Sequence, residues 1–110
     1  MEREQMIGKQ SILFHNAVHI LGGASMVGKK EGDGPLGKYF DKIGEEDGLF
    51  GCQSWEEAES ILQKEAVSMA IKKVGLSKEE IRMIYAGDLL AQTIASSFGI
   101  IGFEITVYGL

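Results

Sequence analysis

Residues 83–110 read MIYAGDLLAQTIASSFGIIGFEITVYGL, and the fold class turns on this stretch. Met83-Ile84-Tyr85-Ala86 is a short apolar run closed by Gly87-Asp88, which predicts a buried strand followed by a turn. Across residues 89–98, Leu90, Ile94 and Phe98 recur at a spacing of four and share one helical face. Ala91, Ala95 and Ser97 are small enough to let that helix pack closely. Gly99 is expected to end it. Phe103-Glu104-Ile105-Thr106-Val107-Tyr108 is rich in β-branched and aromatic side chains and predicts another strand.

Upstream of this stretch, Ser54-Trp55-Glu56-Glu57 is a capping box. The Ser54 hydroxyl is expected to accept from an otherwise unpaired amide while Glu57 reaches back to the amide of the cap. In the helix that follows, Trp55, Ala58, Leu62, Ala66, Met69 and Ala70 recur at spacings of three and four. Val67, Ile71 and Val74 add a second apolar side, so deeper burial is expected toward the end of the helix. Gly75 suits a left-handed cap, and Ser77-Lys78-Glu79-Glu80 repeats the capping box before the strand at Met83. Strand, helix, strand, helix, strand is the order of a right-handed α/β crossover with parallel pairing. Residues 11–14 and 18–21 are further strand candidates. The fold class is therefore α/β, with a mixed or parallel sheet and packed helices.

The chain has 110 residues, 45% hydrophobic and 25% charged, which suits a single globular unit with one modest core. Ten of its fifteen glycines and its single proline, Pro35, precede Trp55. Residues 1–53 are thus expected to be glycine-rich and irregular with short strands, and residues 54–110 to form the crossover region. Sixteen acidic against eleven basic side chains give a net charge of −5, so the chain offers no positive field for nucleic acid. No apolar run approaches the roughly 20 residues a transmembrane helix needs, and the polar start MEREQ does not resemble a signal peptide. A lone cysteine, Cys52, excludes an internal disulfide and a multi-cysteine zinc site.

Several motifs approach a known chemistry without completing it. Residues 23–30, GASMVGKK, nearly spell the phosphate loop G-x-x-x-x-G-K-[ST], but Lys30 replaces the metal-binding hydroxyl. Glu31-Gly32-Asp33-Gly34-Pro35 then follows where a phosphate-facing helix should begin, so a flexible glycine-rich loop is expected. Glu31-Gly32-Asp33-Gly34 also looks like part of a calcium loop yet lacks the spaced ligands and closing glutamate, and reads as a turn. Glu45-Glu46-Asp47 reads as a solvated acidic loop. His15 and His19 would share one face of a strand, without an evident third ligand. Cys52 sits in a glycine-rich loop with no recognisable activating neighbour.

Asp88 is the most suggestive position, because α/β folds place ligands just beyond the carboxyl ends of parallel strands. Gln92 lies one helical turn later. Asp88 has two readings: it caps the following helix, or it contacts a ligand.

Three segments together carry a family resemblance: GKKEGDGPLGKYFDK at 28–42, SWEEAE at 54–59 and AGDLLAQ at 86–92. From about Gly8 to the last residue the chain resembles the stage V sporulation protein AD family. That resemblance implies a thiolase-like fold in which two similar α/β halves stack into alternating helix and sheet layers. On this reading the 110 residues are a single partial domain, the amino-terminal portion of one half. Residues 105–110, ITVYGL, are similar to the family strand I-P-x-x-G-[LV], with Thr106 at the usual proline position. A G-A-C-S-[ST] segment normally follows that strand, and the chain is expected to stop before its cysteine.

The implied role is non-enzymatic and needs no cofactor. The full-length family would bind dipicolinic acid and help move its calcium chelate into the developing spore. It would act on the cytoplasmic side of the forespore, peripheral at the spore inner membrane, beside other stage V sporulation membrane proteins. Asp88 and Gln92 are the implied ligand-binding residues. Asp88 would repel a dicarboxylate directly and would contribute through calcium, water or loop geometry. The alternative is a fragment of an acyl-transfer enzyme of the thiolase or ketoacyl-synthase type. Homo-oligomerisation is expected in either case, because a partial parallel sheet leaves apolar faces and edges to be covered.

Overall fold

The computed structural model describes residues 5–44, 51–88 and 99–109. Within them the chain is mixed α/β. The strands are β1 (Met6–Ile7), β2 (Ser11–Ile12), β3 (Met26–Val27), β4 (Lys42–Ile43), β5 (Met83–Ala86) and β6 (Thr106–Gly109); the helices are α1 (Lys29–Gly32) and α2 (Trp55–Lys73). β1 and β2 pair antiparallel, whereas β3–β4 and β5–β6 are parallel pairs.

Helix α2 is the spine, and local sequence accounts for both of its ends. At the start, the Ser54 hydroxyl accepts from the Glu57 amide at 3.2 Å. The Glu57 carboxylate reaches back one residue further than expected and accepts from the Gln53 amide at 3.3 Å. At the other end Gly75 adopts φ +73, which costs a residue without a Cβ little. The Leu76 amide donates to the Ile71 carbonyl at 3.3 Å and the Gly75 amide to Lys72 at 3.1 Å, the bond pair of a Schellman cap. The next turn, Lys78–Glu80, is a 3-10 turn entered by a bond from the Ser77 amide to the Glu80 carboxylate at 3.1 Å.

β5 and β6 confirm the expected parallel pair, in the register Met83↔Thr106 through Ala86↔Gly109. Three details differ from expectation. Met83 and Tyr85 are exposed while Ile84 and Ala86 are half-buried, so β5 has one open face and is not a buried strand. β6 starts at Thr106, later than Phe103, because residues Ile101–Phe103 form a 3-10 turn and Glu104 takes φ +56, which interrupts extended backbone. Gly99 does not end a helix: Gly99 and Ile100 are helical and lead directly into that 3-10 turn. The glycine is needed there for closeness, since a Cβ at position 99 would lie 2.5 Å from the Ser60 carbonyl oxygen of α2.

Ala58 and Ile100 are the only buried hydrophobic side chains among the described residues. Of α2 only Ala58, near its start, is buried; Val67, Ile71 and Val74 toward its carboxyl-terminal end are half-buried, so the deeper burial expected there is not seen. The accessible surface is 8616 Å², against roughly 6,000 Å² for a folded monomer of 12.0 kDa. The radius of gyration is 16.8 Å, against about 13 Å for a compact domain of this length. Apolar surface that a closed domain would cover therefore faces water.

The amino-terminal half is more ordered in places than its glycine content implies. Residues 11–14 yield only the short β2, and no strand forms over residues 18–21, which are exposed. In the phosphate-loop-like stretch, β3 is followed by the one-turn helix α1, where a flexible loop was expected. No helix among the described residues is long and apolar enough to cross a membrane.

Candidate functional site

Parallel pairing brings the carboxyl ends of β5 and β6 to one edge, and Gly87-Asp88 extends from that edge. Asp88 is half-buried. α2 braces the same turn, because the Gln63 side-chain amide donates to the Gly87 carbonyl at 3.4 Å. Gln63 was not singled out from sequence: a glutamine in mid-helix carries no signal of a partner 24 residues away. Gln92, the other expected ligand residue, lies outside the described residues, as does the expected helix over residues 89–98 up to Phe98.

A second polar node ties the glycine-rich half to the end of α2. One Asp41 carboxylate oxygen accepts from the Ser25 amide at 2.8 Å and from its hydroxyl at 3.2 Å, and the Asp41 amide donates to the Ser25 hydroxyl at 3.1 Å. The other carboxylate oxygen accepts from Lys73 Nζ at 2.9 Å, and the same ammonium donates to the Gly23 carbonyl at 3.0 Å. The lysine above all, then the Ser25 amide, hold the Asp41 carboxyl below its ordinary range. Both oxygens are engaged, so the node is built to position backbone. It fixes the entry of β3 against that of β4, and Lys42 Nζ pairs with Glu65 of α2 at 3.1 Å next to it.

Two open clefts flank α2. One, of about 290 Å³, is lined by Met26, Lys42, Ile43, Gly44, Ile61 and Glu65 among others. The other, of about 360 Å³, is lined by Asp41, Met69, Lys72 and Lys73. Neither contains Asp88.

The remaining sequence candidates fall into structural roles. Lys29 and Asp33 form an ion pair at 2.8 Å across α1, which engages the Asp33 carboxylate of the calcium-like stretch. His15 and His19 are both exposed and do not share a strand. Cys52 is half-buried in the loop before α2. Glu45-Glu46-Asp47 lie outside the described residues.

Comparison with known proteins places this arrangement in a family. The profile of stage V sporulation protein AD matches residues 8–110. The curated stage V sporulation protein AD of Bacillus subtilis (strain 168) is 38% identical over 96 residues, which covers 86% of this chain and 28% of the relative. The chain thus spans little more than a quarter of the length of that relative. With nearly its whole length matched by the profile, the chain belongs to the stage V sporulation protein AD family.

Proposed function

We propose that the chain contributes the amino-terminal edge of a non-catalytic, dipicolinate-binding component that passes calcium dipicolinate into the developing spore. The observation that carries this reading is the family match across residues 8–110. The parallel β5–β6 edge is consistent with it, since Asp88 stands where α/β folds gather ligands. On this reading the complete architecture is thiolase-like and two-lobed. Its partners are other stage V sporulation membrane proteins, and it works on the cytoplasmic side of the forespore, peripheral to the spore inner membrane.

In this proposal Asp88 acts on the cation of the chelate, because a carboxylate repels the free dicarboxylate but attracts bound calcium. Gln92, expected one helical turn on, supplies a neutral hydrogen-bonding group for the same ligand.

The test is calorimetric titration of dipicolinate, with and without one equivalent of calcium, into the Bacillus subtilis relative carrying residues 8–110 of this chain in place of its own matched region. Saturable heat supports the reading. A folded chimaera that binds neither form overturns it, and acylation of a cysteine by acyl-coenzyme A would replace it with acyl transfer.

A further inference from the structure

Tyr85 of β5 and Tyr108 of β6 are partners in the parallel register, and their rings stack with centroids 5.3 Å apart and planes 22° from parallel. Of the three tyrosines in the chain, these two stack on each other. Both are exposed, Tyr85 at 62% and Tyr108 at 49%. The Tyr85 hydroxyl donates to the Met83 thioether at 3.2 Å on the same open face. Strand pairing holds the two phenols side by side, so a reaction between them is already intramolecular and aligned.

We infer that Tyr85 and Tyr108 are a site of oxidative cross-linking, at which a one-electron oxidant joins the two rings as a dityrosine and staples β5 to β6. Each phenol gives up one electron and one proton and becomes a neutral phenoxyl radical. The unpaired electron is shared between the oxygen and the ring carbons beside it, and one such carbon from each ring forms the new C–C bond. The hydrogen on each joined carbon then moves to its oxygen, which restores both phenols. The pair loses two electrons and two protons in all, and hydrogen peroxide activated by a haem peroxidase takes them up as it is reduced to two waters. Exposure of both rings gives the oxidant access to the electrons and water access to the protons; the Met83 thioether, a weak acceptor, does not retain the proton of Tyr85. Tyr39 is 70% exposed, but Lys38 Nζ lies 5.2 Å from its ring centroid, and a cation over the ring opposes loss of an electron. The staple fixes the register of a two-stranded sheet that is marginal without it, and it restricts the unfolded chain as other cross-links do. The inference does not depend on any ligand, so its failure and that of the binding role are separable.

The test is brief treatment of the 110-residue chain with a haem peroxidase and hydrogen peroxide, followed by trypsin digestion and mass spectrometry. No Lys or Arg follows Arg82, so both tyrosines fall in the single tryptic peptide 83–110. The expected product is that peptide lighter by two hydrogens, with dityrosine fluorescence and a yield that does not change when the protein is diluted. Tyr85→Phe and Tyr108→Phe, which keep a ring in place, should each abolish it, whereas Tyr39→Phe should not. The stapled chain should unfold at a higher urea concentration than the untreated one, and the yield should fall severalfold when the oxidation is run on the chain already unfolded in urea. A product of doubled peptide mass that forms only between chains overturns the proposal. So does oxygen added to Met83 or Trp55 without loss of hydrogen at the tyrosines, a yield equal in the folded and unfolded chains, or a urea midpoint that does not rise.

Discussion

Tyr85 and Tyr108 stand directly opposite each other in the parallel register of β5 and β6, and their rings stack with centroids 5.3 Å apart and planes inclined by 22°. The pair sits on the open face of the two-stranded sheet, one step before the edge that carries Gly87-Asp88. A two-stranded parallel sheet has few ways to hold its register, and a facing aromatic pair is one of them. A double-mutant cycle of Tyr85→Ala and Tyr108→Ala is therefore expected to show a coupling of about 0.5–1 kcal/mol in urea unfolding followed by circular dichroism. Strictly additive losses would mean that the stacked rings do not support the sheet.

Removing the cap of α2 should weaken the spine on which the other elements rest. Ser54→Ala loses the bond to the Glu57 amide and is expected to cost about 1 kcal/mol, while Ser54→Asp should retain most of the stability. Equilibrium denaturation of the three proteins measures both effects.

The approach of Gly99 to α2 predicts a larger cost. A side chain at position 99 meets the Ser60 carbonyl, which is backbone and has little room to move. Gly99→Val is expected to lose roughly 1–3 kcal/mol through overpacking. Gly75→Ala, which strains a left-handed cap without any close neighbour, should lose about 1 kcal/mol. A smaller loss at position 99 than at position 75 would contradict the close packing of the Gly99 segment on α2.

The Asp41 node makes part of the stability depend on pH. Its carboxyl titrates lower in the folded chain than in the unfolded one, so the unfolded state binds more protons as acid is added. The stabilisation from Lys73 and Ser25 is complete above the unfolded carboxylate range and disappears as the pH falls through the lower, folded value. Asp41→Asn should therefore lower the urea midpoint at pH 7, and the difference from wild type should shrink progressively once the pH drops below about 4. A difference that stays constant down to pH 2 would show that Asp41 carries no such linkage.

For the proposed ligand site, Asp88→Asn in the chimaera is expected to reduce affinity for the calcium chelate about tenfold and to leave free dipicolinate unchanged or slightly favoured. Gln92→Ala should weaken both forms alike. Equal losses for both forms on Asp88→Asn would point to a structural role as a helix cap, which thermal unfolding of the same variant would register.

Much of the α/β order was legible because its signals are local. Ser54 with Glu57, Gly75, and Ser77 with Glu80 each act within a turn of chain, where spacing alone sets which groups meet. The β5–β6 pairing followed from composition and the crossover rule, although Glu104 moved the start of β6. The candidate edge at Asp88 was legible for the same reason, being the end of a strand. Its brace from Gln63 was not, nor was the joining of Ser25, Asp41, Lys73 and Gly23, because these partners lie 16 to 50 residues apart.

Burial divides the two kinds of information most sharply. Amino-acid order prescribed helix ends, turns and strand pairing, since those depend on backbone geometry and neighbours a few residues away. It marked residues 18–21 and Met83-Ile84-Tyr85-Ala86 as apolar, but whether apolar side chains are covered depends on what the rest of the chain brings to them. In three dimensions Ile20 and Tyr85 both stay exposed, Tyr85 meeting the ring of Tyr108 on the open face of the sheet, while Gly99 is drawn against Ser60 and Ile100 is enclosed. The hydrophobic effect rewards covered area and is indifferent to sequence position, so only the folded chain could decide which apolar residues form a core and which form a surface awaiting a partner.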